Sequence, residues 1–265
     1  MRRPERSEGK ILEVEGLSFS YGQGFALKGV GFDLAEGEVL GIIGPNSSGK
    51  TTLIRLLSKV LIPQEGSIKL LGLDVKALSR REVAKVVAVV PQDSHLAFPF
   101  TVREVVLMGR HPHSQGFFFE GEEDLRVAEE AMKATGVLHL ANKHLDELSG
   151  GERRLAVIAR ALAQRPRILL LDEPLTYLDL HHQVEITKLL RRLNEEQGTT
   201  VLLVSHDLNA ALETCHRLLL LWEGRVHRMG RPEEVIDEKT IEEVYGLKVL
   251  IEQSPLTGRL RIEAL

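Results

Sequence analysis

A single cysteine, Cys215, stands in a chain of 265 residues, which excludes any internal disulfide and fits a reducing compartment. Its expected place is the interior, as a small apolar side chain. Long hydrophobic runs are missing as well. A helix that crosses a bilayer needs roughly 18 consecutive apolar residues. The runs Ile168 to Leu171 and Leu218 to Trp222 are far shorter and end in charge. The chain itself is expected not to cross a membrane. Neither sign of charge dominates: 34 Lys and Arg stand against 38 Asp and Glu, a net charge of −4. No nucleic-acid partner is expected, because such proteins work by neutralising phosphates. No internal repeat and no low-complexity segment occurs. The opening Met1 to Lys10 is charged and no apolar stretch follows it, so it reads as a loose tail and not as a secretory signal.

What is present is an ordinary globular composition, 43% hydrophobic, in a length sufficient for one large domain or two small ones. From Ile11 to Leu40, alternating segments such as Ile11-Leu-Glu-Val-Glu15 and Val30-Gly-Phe-Asp-Leu34 predict a small, mostly antiparallel sheet. The continuous apolar run Val39 to Ile43 halts at Gly44, and Thr51 to Leu61 carries helix-spaced apolar residues, giving strand, loop, helix. After an apolar strand at Val86 to Val90, the stretch from Thr101 to about Leu162 reads as an inserted helical subdomain with acidic faces at Glu122 to Glu130. Buried strands return at Ile168 to Leu171, Val201 to Val204 and Leu218 to Trp222. They alternate with amphipathic helices around Val184 to Leu193 and Leu208 to Leu212. Such alternation predicts an α/β fold with a mostly parallel sheet covered on both faces. From Val249 the pattern predicts a closing hairpin that turns at Ser254-Pro-Leu-Thr-Gly258.

The segment Gly44-Pro45-Asn46-Ser47-Ser48-Gly49-Lys50-Thr51-Thr52 fits G-x-x-x-x-G-K-[ST] at every fixed position and lies between a predicted strand and a predicted helix. The glycines allow a tight turn whose successive N–H groups point inward, and the following helix adds the positive end of its dipole. Lys50 is placed to reach the β- and γ-phosphates of a nucleotide. The Thr51 hydroxyl can complete a Mg²⁺ shell, and Thr52 can add a hydroxyl contact to phosphate. The alternative, a glycine turn with a chance lysine, does not account for the flanking elements. Ile168-Leu-Leu-Leu-Asp172-Glu173-Pro174 sets two carboxylates at the carboxyl end of a buried strand, the edge where open α/β sheets bind ligands. Asp172 suits Mg²⁺ and Glu173 suits a general base for an attacking water.

Leu148-Ser149-Gly150-Gly151-Glu152 has two readings. Ser149 and Glu152 fit a capping box at a helix start. The two glycines are not required by such a box, and they leave the helix-start N–H groups open to an anion. The phosphate loop and this segment together predict a protein that binds and hydrolyses ATP.

On these motifs, which cover nearly the whole chain in order and spacing, the sequence resembles the ATPase subunit of an ABC transporter. The resemblance implies a P-loop nucleotide-binding core over about 10–91 and 164–235 that includes the antiparallel sheet. A helical subdomain over about 92–163 and a C-terminal helix and hairpin over about 236–265 complete one ABC ATPase domain, 1–265. It implies that Ser149, Gly150 and Gly151 of one copy bind the γ-phosphate held by the phosphate loop of a second copy, so that two ATP are enclosed by a head-to-tail dimer. It also assigns adenine stacking to Tyr21, Mg²⁺ and permease sensing to Gln92, the γ-phosphate switch to His206, and communication across the dimer to Asp179. Read from the residues alone, Tyr21 can simply pack, Gln92 can be a polar loop residue, and His206 can be the neighbour of a helix cap. His111, His113, His181 and His182 lack the partners of a zinc set.

The stretches Val90-Pro-Gln-Asp93, Phe100 to His113, Thr176-Tyr-Leu-Asp179 and Glu242-Glu-Val-Tyr-Gly246 resemble ATPases of type II importers for iron-siderophores, haem and cobalamin. That resemblance implies an integral membrane permease as partner, a solute-binding protein acting indirectly, and a cytoplasmic, peripheral location at the inner face of the membrane. Molybdate-type importers share that architecture, and a non-transport ABC ATPase or ATP-binding regulator is the alternative from another class. Leu175, where the family usually has Thr, and Glu152-Arg-Arg-Leu155, in place of a more glutamine-rich run, depart from the pattern.

Overall fold

A computed structural model describes residues 9–22, 26–92, 98–113, 121–255 and 257–265. Most of the expected tail, and Asp93 in the importer-like stretch, lie outside them. The chain opens with β1 (Lys10–Ser20) and β2 (Ala26–Ala35), an antiparallel pair, followed by β3 (Val39–Ile43) and α1 (Lys50–Leu57). Next come β4 (Glu65–Leu70), β5 (Leu73–Asp74), α2 (Arg80–Val86) and β6 (Val87–Val90). The helical stretch holds α3 (Val102–Met108), α4 (Glu122–Ala134) and α5 (Gly150–Ala163). The chain then alternates through β7 (Ile168–Asp172), α6 (Leu180–Gln197), β8 (Thr200–Val204), α7 (Leu208–Thr214) and β9 (Arg217–Trp222). It ends with β10 (Arg225–Gly230), α8 (Pro232–Val235), α9 (Glu238–Tyr245), β11 (Val249–Gln253) and β12 (Leu260–Ala264).

Two larger sheets organise these elements, and β11 pairs with β12 in a separate antiparallel hairpin. The first runs β2-β1-β4-β5 and is antiparallel throughout; the second runs β10-β9-β3-β8-β7-β6, parallel except for the β10 edge. Every residue of β3, β7 and β8 is buried, the signature of strands covered on both faces. Their side chains alternate between two cores. Leu40, Leu170 and Leu202 face the core shared with α1 and the antiparallel sheet, whereas Ile43, Leu169 and Leu203 face the helical side. With parallel strands, the ends of β3, β8, β7 and β6 fall on one edge, which places the Gly44 loop, His206, Asp172 with Glu173, and Gln92 together.

The structure departs from the sequence expectation at α1, β4, β10 and α2. The helix expected over Thr51 to Leu61 stops at Leu57. The Ser58 hydroxyl donates to Ile54 O at 2.9 Å, Lys59 turns left-handed at φ 56°, and the N–H groups of Val60 and Leu61 return to Arg55 O. Lys59 Nζ then bonds Val75 O at 2.7 Å, which fixes the turn. The strands β4 and β10 were not legible, because Glu65-Gly-Ser-Ile-Lys-Leu70 and Arg225-Val-His-Arg-Met-Gly230 carry too few apolar residues for a buried strand. For the edge strand β10 such charge guards against pairing with other chains. The last departure is α2, unseen in the sequence and held by a Ser79–Glu82 capping box.

In the helical stretch, Arg110 Nε donates to Asp124 Oδ1 at 2.9 Å and its Nη1 to Ala163 O at 2.7 Å, so one buried guanidinium ties α3 to α4 and α5.

Candidate functional site

The phosphate loop leaves β3 through Gly44, at φ 150°. A Cβ built there would lie 2.1 Å from Leu221 O in β9, so only glycine lets the loop pass so close to the neighbouring strand. Gly44→Ala is therefore expected to destabilise the fold by about 3 kcal/mol or more, because a backbone carbonyl has to move. A urea midpoint within error of wild type would contradict that. Gly49 caps the start of α1, and the buried Lys50 donates from Nζ to Gly44 O and Pro45 O, each at 2.8 Å. Burial lowers the Lys50 pKa, and the carboxylates of Glu173 and Asp172 act against that shift. The two carbonyls hold the ammonium inside the loop that would receive the phosphates.

Asp172 ends β7 with its carboxylate out of water. Burial raises its pKa, the Thr51 hydroxyl opposes this by hydrogen bonding, and the charge of Glu173 adds to it. Among the described residues Asp172 Oδ1 and the Ser48 hydroxyl are buried without a hydrogen-bond partner. An orphaned carboxylate oxygen beside a threonine hydroxyl is the donor set that a hard divalent cation takes. Thr51, Gln92 and Asp172 line one groove together, so the residues fit Mg²⁺.

Glu173 adopts a left-handed backbone, φ 49°, which for a non-glycine residue costs about 1–3 kcal/mol and is kept only where surroundings enforce it. Its N–H donates to Val204 O at 3.0 Å. Its Oε2 is the meeting point of three side chains: His206 Nδ1 at 3.0 Å, the Thr176 hydroxyl at 3.1 Å and Gln92 Nε2 at 3.3 Å. Gln92 and His206 were expected from the sequence. Thr176 entered there only as part of an importer-like stretch. The signal for it was a hydroxyl three residues beyond the glutamate, and it reaches the carboxylate because the chain turns at Glu173.

A cleft of about 700 Å³ joins these groups to the phosphate loop. Tyr21 stands at its rim, 55% exposed, edge-on to Phe19 with ring centres 4.9 Å apart, and accepts a hydrogen bond from Arg55 Nη1 at 3.5 Å. Asn46, Ser47, Lys50, Thr51 and Thr52 form the loop side. Ser149, Gly150, Gly151 and Asp179 do not line this cleft.

Ser149 caps α5 as the capping box requires: its Oγ accepts from Glu152 N at 3.2 Å and Glu152 Oε2 accepts from Ser149 N at 2.9 Å. Glu152 Oε2 also accepts from Ser149 Oγ at 2.8 Å, and the two bonds that Ser149 donates to this carboxylate lower the Glu152 pKa. The two glycines are not equivalent. A Cβ on Gly150 would meet Leu178 at an ordinary 3.8 Å, whereas one on Gly151 would fall 2.0 Å from the His182 ring. Packing within the chain thus already demands glycine at 151, a requirement that the sequence reading did not foresee. His182 Nδ1 lies 2.9 Å from Asp179 Oδ2, and Asp179 caps α6 by accepting from His182 N at 3.0 Å. That bond holds the Asp179 carboxyl low. Among the described residues no group of three or more His, Cys, Asp or Glu is arranged to hold a metal, and no helix is long and apolar enough to cross a membrane.

A phosphate loop between a buried strand and its helix, with paired carboxylates at the end of β7, separated from β3 by β8, defines a P-loop ATPase. The family described as "ABC transporter" matches residues 27–176. The ferric enterobactin transport ATP-binding protein FepC of Escherichia coli (strain K12) is 39% identical over 247 residues, covering 93% of this chain and 91% of that protein. A solved inward-facing structure of a candidate metal-chelate type ABC transporter superposes with a TM-score of 0.85 at 30% identity, covering 97% of each chain. The dimeric ABC transporter cassette MJ0796 superposes with a TM-score of 0.74 at 31% identity, covering 83% of this chain and 98% of that one. The chain belongs to the ABC transporter family.

Proposed function

We propose that the chain is the ATP-hydrolysing subunit of a membrane importer, akin to those that carry iron-siderophore, haem or cobalamin chelates. The observation that carries the reading is the convergence of Gln92, Thr176 and His206 on one oxygen of Glu173 at the lip of the phosphate loop. Gly44 to Thr52 bind the phosphates through backbone N–H groups and Lys50, and Tyr21 stacks on adenine. Thr51, Asp172 and Gln92 hold Mg²⁺, which when bound neutralises phosphate charge. Glu173 orients the attacking water and takes its proton, while His206 contacts the γ-phosphate. The described segments act as one cassette: a phosphate-loop core, a helical part over about 92–163, and a C-terminal helix and hairpin over about 236–265.

The second half of the site comes from another copy. The Ser149 to Gly151 helix start needs an anion that its own cleft does not supply. Tyr177 and Leu180, 93% and 75% exposed beside Asp179, are apolar groups that a second copy would cover. ATP closes two copies head to tail, Asp179 reports across the joint, and hydrolysis reopens it. An integral membrane permease follows this motion through the Gln92 region, with the cassette on the inner face of the membrane and a solute-binding protein delivering cargo outside. The FepC similarity and the metal-chelate type neighbour support that cargo class.

Titration calorimetry with ATP tests the first step. Wild type is expected to bind, and Lys50→Ala to bind at least about tenfold more weakly, since it loses a charge-assisted bond to phosphate. Unchanged affinity in Lys50→Ala would overturn the phosphate-loop assignment.

A further inference from the structure

One turn beyond its Ser149 cap, α5 carries Arg154, in the short run that departs from the family pattern. The guanidinium reaches back to the end of β6. Nη1 donates to Pro91 O at 2.6 Å and Nη2 to Gln92 O at 2.7 Å. Arg154 is 9% exposed, and a cation so far out of water is retained where its donors are satisfied. The two acceptors have a geometric meaning. Pro91 O belongs to the peptide plane before the Gln92 Cα, and Gln92 O to the plane after it. A planar fork that holds both carbonyls fixes the direction in which the Gln92 side chain leaves the backbone. That side chain donates to Glu173 Oε2.

We propose that Arg154 is a positioning residue for hydrolysis. It orients Gln92, and through the Gln92 amide it sets the carboxylate of Glu173, tying that carboxylate to the helix start that would read the nucleotide of a second copy. The proposal rests on the reading of Glu173 as general base. A rigid helix moves as a body, so a shift of α5 at Ser149 carries Arg154 and the two carbonyls with it.

The test is steady-state phosphate release by the full chain under varied Mg-ATP, for Arg154→Met, Arg154→Lys, Gln92→Ala and the double variants, with thermal midpoints measured alongside. Methionine keeps an apolar stem and removes both donors; lysine keeps one point of attachment. Arg154→Met is expected to lower kcat by about 10- to 100-fold through misplacement of the catalytic group, with KM for ATP within about twofold. Arg154→Lys should recover part of the loss. In the Gln92→Ala background either substitution should cost nothing further, because the side chain being oriented is gone. An equal loss in both backgrounds, an unchanged kcat, or a raised KM at unchanged kcat overturns the proposal. Where Arg154→Met fails to fold, the Arg154→Lys cycle decides by the same criteria. Glu173→Gln measured beside them separates the two ideas. Wild-type turnover in that variant defeats the general-base reading and this proposal with it. An inactive Glu173→Gln together with normal Arg154 variants defeats the proposal alone.

Discussion

Glu173→Gln is expected to reduce ATP turnover by about 10²- to 10⁴-fold, equivalent to about 2.7–5.5 kcal/mol of transition-state stabilisation, and to leave ATP binding intact. The amide has the shape of the carboxylate and still offers an oxygen to the His206 ring, the Thr176 hydroxyl and the Gln92 amide, so the local structure survives. It cannot accept a proton from water. Because the left-handed backbone at position 173 is set by the bond from its own N–H to Val204 O, the substitution adds no new strain. A cassette that binds ATP and cannot spend it should accumulate as a closed pair. Light scattering after size exclusion in saturating Mg-ATP is expected to give twice the monomer mass for Glu173→Gln. A monomer under those conditions would count against the shared site.

The second large effect is expected at the start of α5. Gly151→Ala places a methyl group 2.0 Å from a ring carbon of His182. That ring is held by Asp179, so it cannot swing aside freely, and the overpacking is expected to destabilise the chain by about 1–3 kcal/mol. Gly150→Ala meets only Leu178 at 3.8 Å and should leave stability nearly unchanged. In the Glu173→Gln background both alanines are expected to prevent ATP-dependent pairing, each by obstructing the helix end. Adding His182→Ala to Gly151→Ala should restore the urea midpoint and not the pairing. Pairing that recovers together with stability would mean that Gly151 matters only to its own chain.

The contrast between these glycines shows what a sequence can and cannot disclose. The phosphate loop was legible because its chemistry dictates residue types at fixed spacing, and β3, β7 and β8 because strands buried on both faces are continuously apolar. The parallel order of β3, β8, β7 and β6 then explains why Gly44, His206, Asp172 and Gln92 share an edge. The His182 ring behind Gly151, the Thr176 hydroxyl on Glu173 and the Arg154 fork on Pro91 and Gln92 were not legible. Each depends on how the backbone turns between segments, and no local periodicity encodes that. The edge strand β10 escaped for a different reason: its charges serve protection from association and erase the hydrophobic alternation by which strands are recognised.

The lone thiol has a practical consequence. Cys215 is 3% exposed, packed where Gly41 leaves room for its sulfur, and burial pushes its pKa up to about 12. Maleimide and nitroxide reagents need an accessible thiolate, so the native chain is silent to them. A cysteine introduced at any exposed position can therefore carry a spectroscopic label without first deleting the natural one, and distances between labels can follow opening and closing in the otherwise unaltered protein.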